Sequence, residues 1–159
     1  MTNDSLAEVL MRPIGIVRST RTQPTDDRWG QERAHVALDD ARFTKEALAG
    51  LLEFSHVIVL YVMHAVAEDD IEMEARHPRN REDWPKVGIF AQRAKRRPNR
   101  IGIACCKLIG VDGLRVHVDD LDAIDGSPVL DLKPWVREFA PRGAVRQPDW
   151  MAELMRDYF

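Results

Sequence analysis

The sequence predicts a mainly β fold, a barrel or a curled sheet, on three observations. Many short runs rich in valine and isoleucine are separated by Gly, Pro, Asp and Asn turn signals. The run Leu114–Asp119 alternates cleanly, placing Leu114, Val116 and Val118 inward and Arg115, His117 and Asp119 outward. Helical spacing is confined to two short stretches, Phe43–Leu52 and Pro148–Tyr158.

Residues 1–11 read as a leader or a short helical turn; Asp4, Glu8 and the lack of a long apolar core argue against a signal peptide. Pro13–Thr20 is the first expected strand, with Ile14, Ile16 and Arg18 on one face. Arg21–Arg33 is a polar loop holding Trp29 before Gly30, and Ala34–Leu38 is a short strand. Asp39 or Asp40 caps a short helix over Phe43–Leu52, with Phe43, Ala47, Leu48, Leu51 and Leu52 facing the core. Phe54–His64, apolar on both faces, is the central strand.

The acidic run Glu68–Glu74 is a solvated face or an edge, and Arg76–Lys86 a Pro-punctuated loop with Trp84. Strands at Val87–Gln92 and Ile101–Ile109 flank a basic loop. Val111-Asp112-Gly113 turns the second of these into a hairpin with Leu114–Asp119. Asp122–Pro128 is a turn and Val129–Val136 the last strand. A linker from Glu138 leads to a helix over Pro148–Tyr158, whose Trp150, Leu154 and Tyr158 share a face. The expected division is a leader at 1–11, a barrel domain at 12–137 and a tail at 138–159.

Charge singles out one stretch. The chain carries a net charge of −3, yet Arg93, Lys95, Arg96, Arg97 and Arg100 crowd one loop. Read alone, these cations are a solvated loop or a local anion site, not a general nucleic-acid coating. The longest apolar run, Val57–Met63, is far too short to span a bilayer. Cys105 and Cys106 are neighbours that leave a strand on opposite faces, so they make neither a disulfide framework nor a zinc motif. No ligand cluster suggests a metal, and no G-x-G turn suggests an open-sheet nucleotide site. The chain reads as cytoplasmic.

Four motifs in order narrow the reading. PIGIVRS (Pro13–Ser19), EFSHVIVLYVMH (Glu53–His64), GIFAQR with RRPNRIG (Gly88–Gly102) and DGSPVLDLKPW (Asp125–Trp135) span nearly the whole chain. Together they resemble the TsaA-like family of tRNA methyltransferases called TrmO, which carry GVFATR, RPNPIG and DGTP-x-x-D-x-KPY blocks. The resemblance implies a six-stranded antiparallel barrel that works as a homodimer, S-adenosylmethionine as cofactor, and methylation of N6 of threonylcarbamoyladenosine beside the tRNA anticodon.

Carried onto this sequence, the cofactor residues are Arg28, Trp29, Gly30, His64, Ala65, Arg93, Asp125, Gly126, Ser127 and Pro128. Gly126 permits close backbone approach, and Arg93 suits a carboxylate. Trp29 is as consistent with a core position as with stacking, and a lone His64 at a strand end is an ordinary surface feature. Asp131 and Lys133 are either the catalytic pair that contacts substrate or accepts its proton, or a structural pair on one strand face. Lys95, Arg96, Arg97, Asn99, Arg100 and Trp135 are the expected substrate contacts, the cations tracking phosphates.

The sequence departs from the family in four places. Arg100 replaces a proline, Trp135 replaces a tyrosine and loses its hydroxyl, Gln92 replaces a threonine, and DDRWG replaces the loop after the first strand. Longer members carry a further domain implicated in tRNA contact where a tail is expected here. Two other readings stay open: methylation of a small metabolite, or a non-catalytic module that binds the cofactor or tRNA.

Overall fold

Inward-facing valines mark the buried side of five barrel strands, and Gly102, Ala104 and Cys106 mark it in the sixth. In the computed structural model, which describes residues 6–159, eight strands form: β1 (Gly15–Ser19), β2 (Arg33–Leu38), β3 (His56–Val62), β4 (Ala75–Arg76), β5 (Val87–Gly88), β6 (Ile101–Asp112), β7 (Arg115–Asp119) and β8 (Pro128–Pro134). Six of them close into an antiparallel barrel in the order β1-β2-β7-β6-β3-β8, and β4 pairs with β5 separately. Val17, Val36, Val57, Val59, Val116, Val118 and Val129 are fully buried. A six-stranded barrel this small is filled by its own side chains, so a ligand must sit at an end and not in the lumen.

β3 holds the centre, bonded to β6 on one side and β8 on the other. Its inward residues Val57, Val59 and Tyr61 alternate with Ile58, Leu60 and Val62 on the outer face. Tyr61 closes one barrel end: its ring lies where a Cβ on residue 102 would be, so Gly102 is required there. Its hydroxyl donates to the Asp122 carbonyl and to Asp122 Oδ1, both at 2.8 Å. Leu121 and Ala123, on either side of Asp122, are buried against the same end.

Two expectations need correction. Phe43–Leu52 is not a helix: it holds two single 3-10 turns, Lys45–Leu48 and Leu51–Glu53. The backbone runs extended at Ala49 (φ −59°, ψ 130°) before Gly50, and Leu52 stays 61% exposed. Asp39 does cap, but it caps a turn, accepting from the Ala41 amide at 3.0 Å. Val87–Gln92 is not a strand beyond β5; Ile89–Ala91 turns as a 3-10 helix and buries Ile89. The hairpin at Gly113 and the opposite facing of Cys105 and Cys106 match the sequence reading.

Of the leader, residues 1–5 lie outside the described residues, and residues 6–11 have no regular structure and are exposed. At the other end α1 (Asp149–Met155) follows Pro148. The chain after it packs back on the loop between β1 and β2: the Arg28 and Trp29 amides donate to the Asp157 and Tyr158 carbonyls at 2.9 and 2.7 Å.

Candidate functional site

The barrel end closed by Tyr61 opens outward into a cavity of about 1010 Å³. Four loops and α1 wall it: the β1–β2 loop, the segment after β3, the basic loop before β6, and the β7–β8 turn. Each wall is fastened. Arg21 organises the first, donating to Glu32 Oε1, Thr25 Oγ1 and the Asp27 and Arg28 carbonyls at 2.8 to 3.1 Å. Its guanidinium also lies 4.0 Å from the Trp29 ring centroid. Arg79 grips Asp27 with two bonds of 2.7 and 3.1 Å, and Lys95 reaches the Pro24 carbonyl at 3.0 Å.

The C-terminal wall is pinned at two points. Trp84 Nε1 donates to Glu153 Oε2 at 2.9 Å, with the Trp84 and Trp150 rings 6.4 Å apart. Tyr158 donates its hydroxyl to Asp122 Oδ2. Burial and the adjacent Asp122 carboxylate push both the Tyr61 and Tyr158 hydroxyls far above the ordinary tyrosine range, so both stay protonated donors.

The structure brings many of the sequence-predicted residues together. Trp29, Ala65, Arg93, Ser127, Lys95, Arg96 and Arg97 all line this cavity. Trp29 is 4% exposed, so it is at once a packed residue and part of the wall. His64 sits against the β7–β8 turn: its Nε2 lies 3.7 Å from where a Cβ on Gly126 would be, and Gly126 takes φ 83°. Asp125 holds that turn to β1, accepting from the Ser19 amide at 3.1 Å and facing Arg18 at 3.8 Å. Pro128 opens β8, paired with Ile16. Arg28 and Gly30 flank Trp29, outside the cavity lining and beneath the tail; a side chain on Gly30 would strike Phe159.

The remaining candidates lie elsewhere. Asp131 and Lys133 pair with each other at 2.9 Å, opposite Leu60 and Ile58 on the outer barrel face. The Trp135 amide bonds the His56 carbonyl, at the far end of β3. That end is roughly 20 Å from the cavity at ~3.3 Å per strand residue. Asn99 is exposed, and Arg100 donates to the Val66 carbonyl at 2.8 Å.

Sequence reasoning missed Tyr61, Arg76, Arg79, Gln92, Asp122 and the cavity face of α1. The shared face of Trp150, Leu154 and Tyr158 was the available signal for the last, since all three line the cavity. Gln92 is 5% exposed and works as a clamp: its Nε2 donates to the Arg76 and Val87 carbonyls at 3.1 and 2.8 Å, holding β4 to β5. Its own carbonyl accepts from Arg97 at 2.9 Å. No described group of three or more His, Cys, Asp or Glu could hold a metal ion, and no described helix is long and apolar enough to cross a membrane.

Residues 17–140 match the tRNA-methyltransferase O N-terminal domain. A probable S-adenosyl-L-methionine-binding protein of Pyrococcus abyssi is 36% identical over 144 residues, covering 87% of this chain and 74% of that protein. A tRNA (adenine(37)-N6)-methyltransferase of Mus musculus is 39% identical over 138 residues, covering 82% of this chain and 32% of that one. The crystal structure of TrmO from Pseudomonas aeruginosa superposes with a TM-score of 0.70 at 29% identity, over 88% of this chain and 62% of its own. The chain thus spans about a third of the mouse relative and under two thirds of the solved one. A match over most of the chain, joined to the same barrel, places it: the chain belongs to the tRNA-methyltransferase O N-terminal domain family.

Proposed function

We propose that the chain is an S-adenosylmethionine-dependent methyltransferase acting on N6 of a modified adenosine in tRNA. The observation that carries the reading is the cavity itself. At about 1010 Å³ it is at the top of the range for small-molecule sites, room for a methyl donor and an acceptor nucleoside side by side. Its wall combines aromatic surface from Trp29, Phe90 and Trp150 with a ring of cations, the pairing that suits a nucleoside on an anionic chain.

The residues present fit the donor. Trp150, half-buried on α1, supplies an apolar wall, the Ser127 turn supplies backbone approach, and the cavity arginines answer its carboxylate. When bound, the donor supplies a methyl group on a sulfonium. The chain's share is to bind, orient and exclude water, because in-line transfer needs mainly alignment. Lys95 and Arg96 stand on the cavity rim, half-exposed, where phosphates of a bound tRNA can replace Asp26 and Asp70 as their partners.

The names of the relatives support this reading, one bearing S-adenosyl-L-methionine binding and one tRNA adenine methylation. A cytoplasmic homodimer is part of the proposal. Ile109 on the outer face of β6, 52% exposed, belongs to the apolar surface a second copy would cover.

The test is transfer of labelled methyl from S-adenosylmethionine to bulk tRNA, followed by nucleoside analysis. Label on N6 of threonylcarbamoyladenosine supports the proposal. Cofactor binding with no transfer to any tRNA overturns it.

A further inference from the structure

Six cationic side chains line the cavity, and five have partners. Arg79 grips Asp27, Lys95 holds the Pro24 carbonyl, and Arg97 donates to the Gln92 carbonyl. Arg93 donates to the Ile103 carbonyl at 3.1 Å, and Arg96 faces Asp70 at 4.0 Å. Arg76 is the exception. Among the described residues no hydrogen bond or ion pair reaches its guanidinium, and its Nε is buried with no partner. The cavity's own carboxylates do not answer it: Asp26 faces Lys95, and both Asp122 oxygens hold tyrosine hydroxyls.

A half-buried guanidinium with an unpaired N–H is costly, and folding alone does not explain keeping one. Nor is it loose. β4 is two residues long, yet Gln92 fastens the Arg76 carbonyl from inside, which fixes where this side chain starts.

We propose that Arg76 is the anion anchor of the cavity and takes a carboxylate of the bound small molecule; this rests on the methyltransferase reading above. The choice of carboxylate follows from exposure and shape. The half-buried side chain is part of the cavity wall, and a planar carboxylate inside the cavity can take its two terminal nitrogens together. Arg93, expected from the sequence to hold a carboxylate, is exposed and committed to the Ile103 carbonyl, which leaves Arg76 the better placed. Two carboxylates belong to the proposed reaction: the amino-acid end of the methyl donor, and the threonyl carboxylate of the acceptor base.

Arg76→Met, with Arg76→Gln as a second variant, tests the anchor in the full chain. Ligand-free, either variant is expected to melt at or above the wild-type temperature, because an unanswered charge is removed. Binding then identifies the source. If the donor supplies the carboxylate, affinity for S-adenosylhomocysteine falls about ten- to a hundredfold, while 5′-methylthioadenosine, which lacks the carboxylate, binds as before. If the acceptor supplies it, both donor probes bind unchanged, and affinity falls for threonylcarbamoylated tRNA but not for the unmodified tRNA.

Unchanged binding of every probe overturns the proposal, as does a clear loss of ligand-free stability in both variants. If the wild type binds neither donor nor tRNA, the methyltransferase reading fails. The ligand-free melting comparison then decides on the unanswered charge alone.

Discussion

Tyr158 and Asp122 join the C-terminal segment to the barrel: the tyrosine hydroxyl donates to Oδ2 of the carboxylate whose Oδ1 already holds Tyr61. One acidic side chain thus ties the closed end of the barrel to the cavity's outer wall. Tyr158→Phe removes that tie and leaves the ring. The amides of Arg28 and Trp29, which donate to the Asp157 and Tyr158 carbonyls, are expected to exchange about tenfold faster with deuterium. Amides of β3 are expected to keep their rates; equal acceleration of both sets would mean that Tyr158 acts on global stability.

Gly102 leaves room for the Tyr61 ring, which a Cβ would overlap. Gly102→Ala is expected to cost about 1–3 kcal/mol by overpacking, read as a lower urea midpoint. Gly88 is the control, since a Cβ there meets nothing within 4 Å; Gly88→Ala is expected to shift stability by less than about 0.5 kcal/mol.

His35 and His117 face each other across β2 and β7 on the outer barrel surface, ring centroids 5.2 Å apart. Burial first, then His117, Arg115 and Arg18, hold His35 below its ordinary 6.5, against a smaller opposing pull from Asp125. The unfolded chain therefore takes up this proton before the folded one does. The contribution is intact above pH 6.5 and is lost as pH falls from there through the lowered folded value. Melting temperatures followed from about pH 7.5 to about pH 5.5 should fall less steeply in His117→Gln. Parallel curves would contradict the coupling.

The basic loop divides by what each cation holds. Arg97 and Arg100 donate to backbone carbonyls, so Arg97→Ala and Arg100→Ala are each expected to lose about 1 kcal/mol of stability. Lys95 and Arg96 meet acids in exposed pairs, and the bond from Lys95 to the Pro24 carbonyl is exposed too, unlike the part-buried bonds of Arg97 and Arg100, so both contribute little to stability. Lys95→Ala and Arg96→Ala are expected to melt like the wild type, and each to lower the slope of log tRNA affinity against log salt by about 0.7–0.9. A uniform effect of all four on stability would contradict the division.

Much of the barrel was legible because it is written in local alternation. Val116 and Val118 alternate with Arg115, His117 and Asp119, and that pattern survives folding, whereas β3 is apolar on both faces and its inward side, Val57 and Val59, carries no such mark. The segment 43–52 misled because its apolar spacing suits a helix while Ala49 and Gly50 interrupt it. Arg100 shows the limit of motif comparison: it takes φ 52°, closed to the proline of the resembled RPNP motif, so the departure bears on the backbone as well as the charge. The missed site residues share a cause. That Asp122 meets two tyrosines, that Gln92 clamps β4 to β5 and that the Arg76 guanidinium has no partner among the described residues are facts of distant pairing, with no periodicity to mark them.

The central claim is that the cavity beyond Tyr61 holds S-adenosylmethionine. The four tryptophans make it directly testable, because their indole N–H signals report from different places in the fold. Trp29 and Trp150 line the cavity, whereas Trp135 lies at the opposite end of β3. Titrating S-adenosylmethionine into isotopically labelled protein should move the Trp29 and Trp150 indole signals and leave Trp135 in place. Saturating cofactor that moves neither cavity signal, or that moves Trp135 alone, would contradict the account.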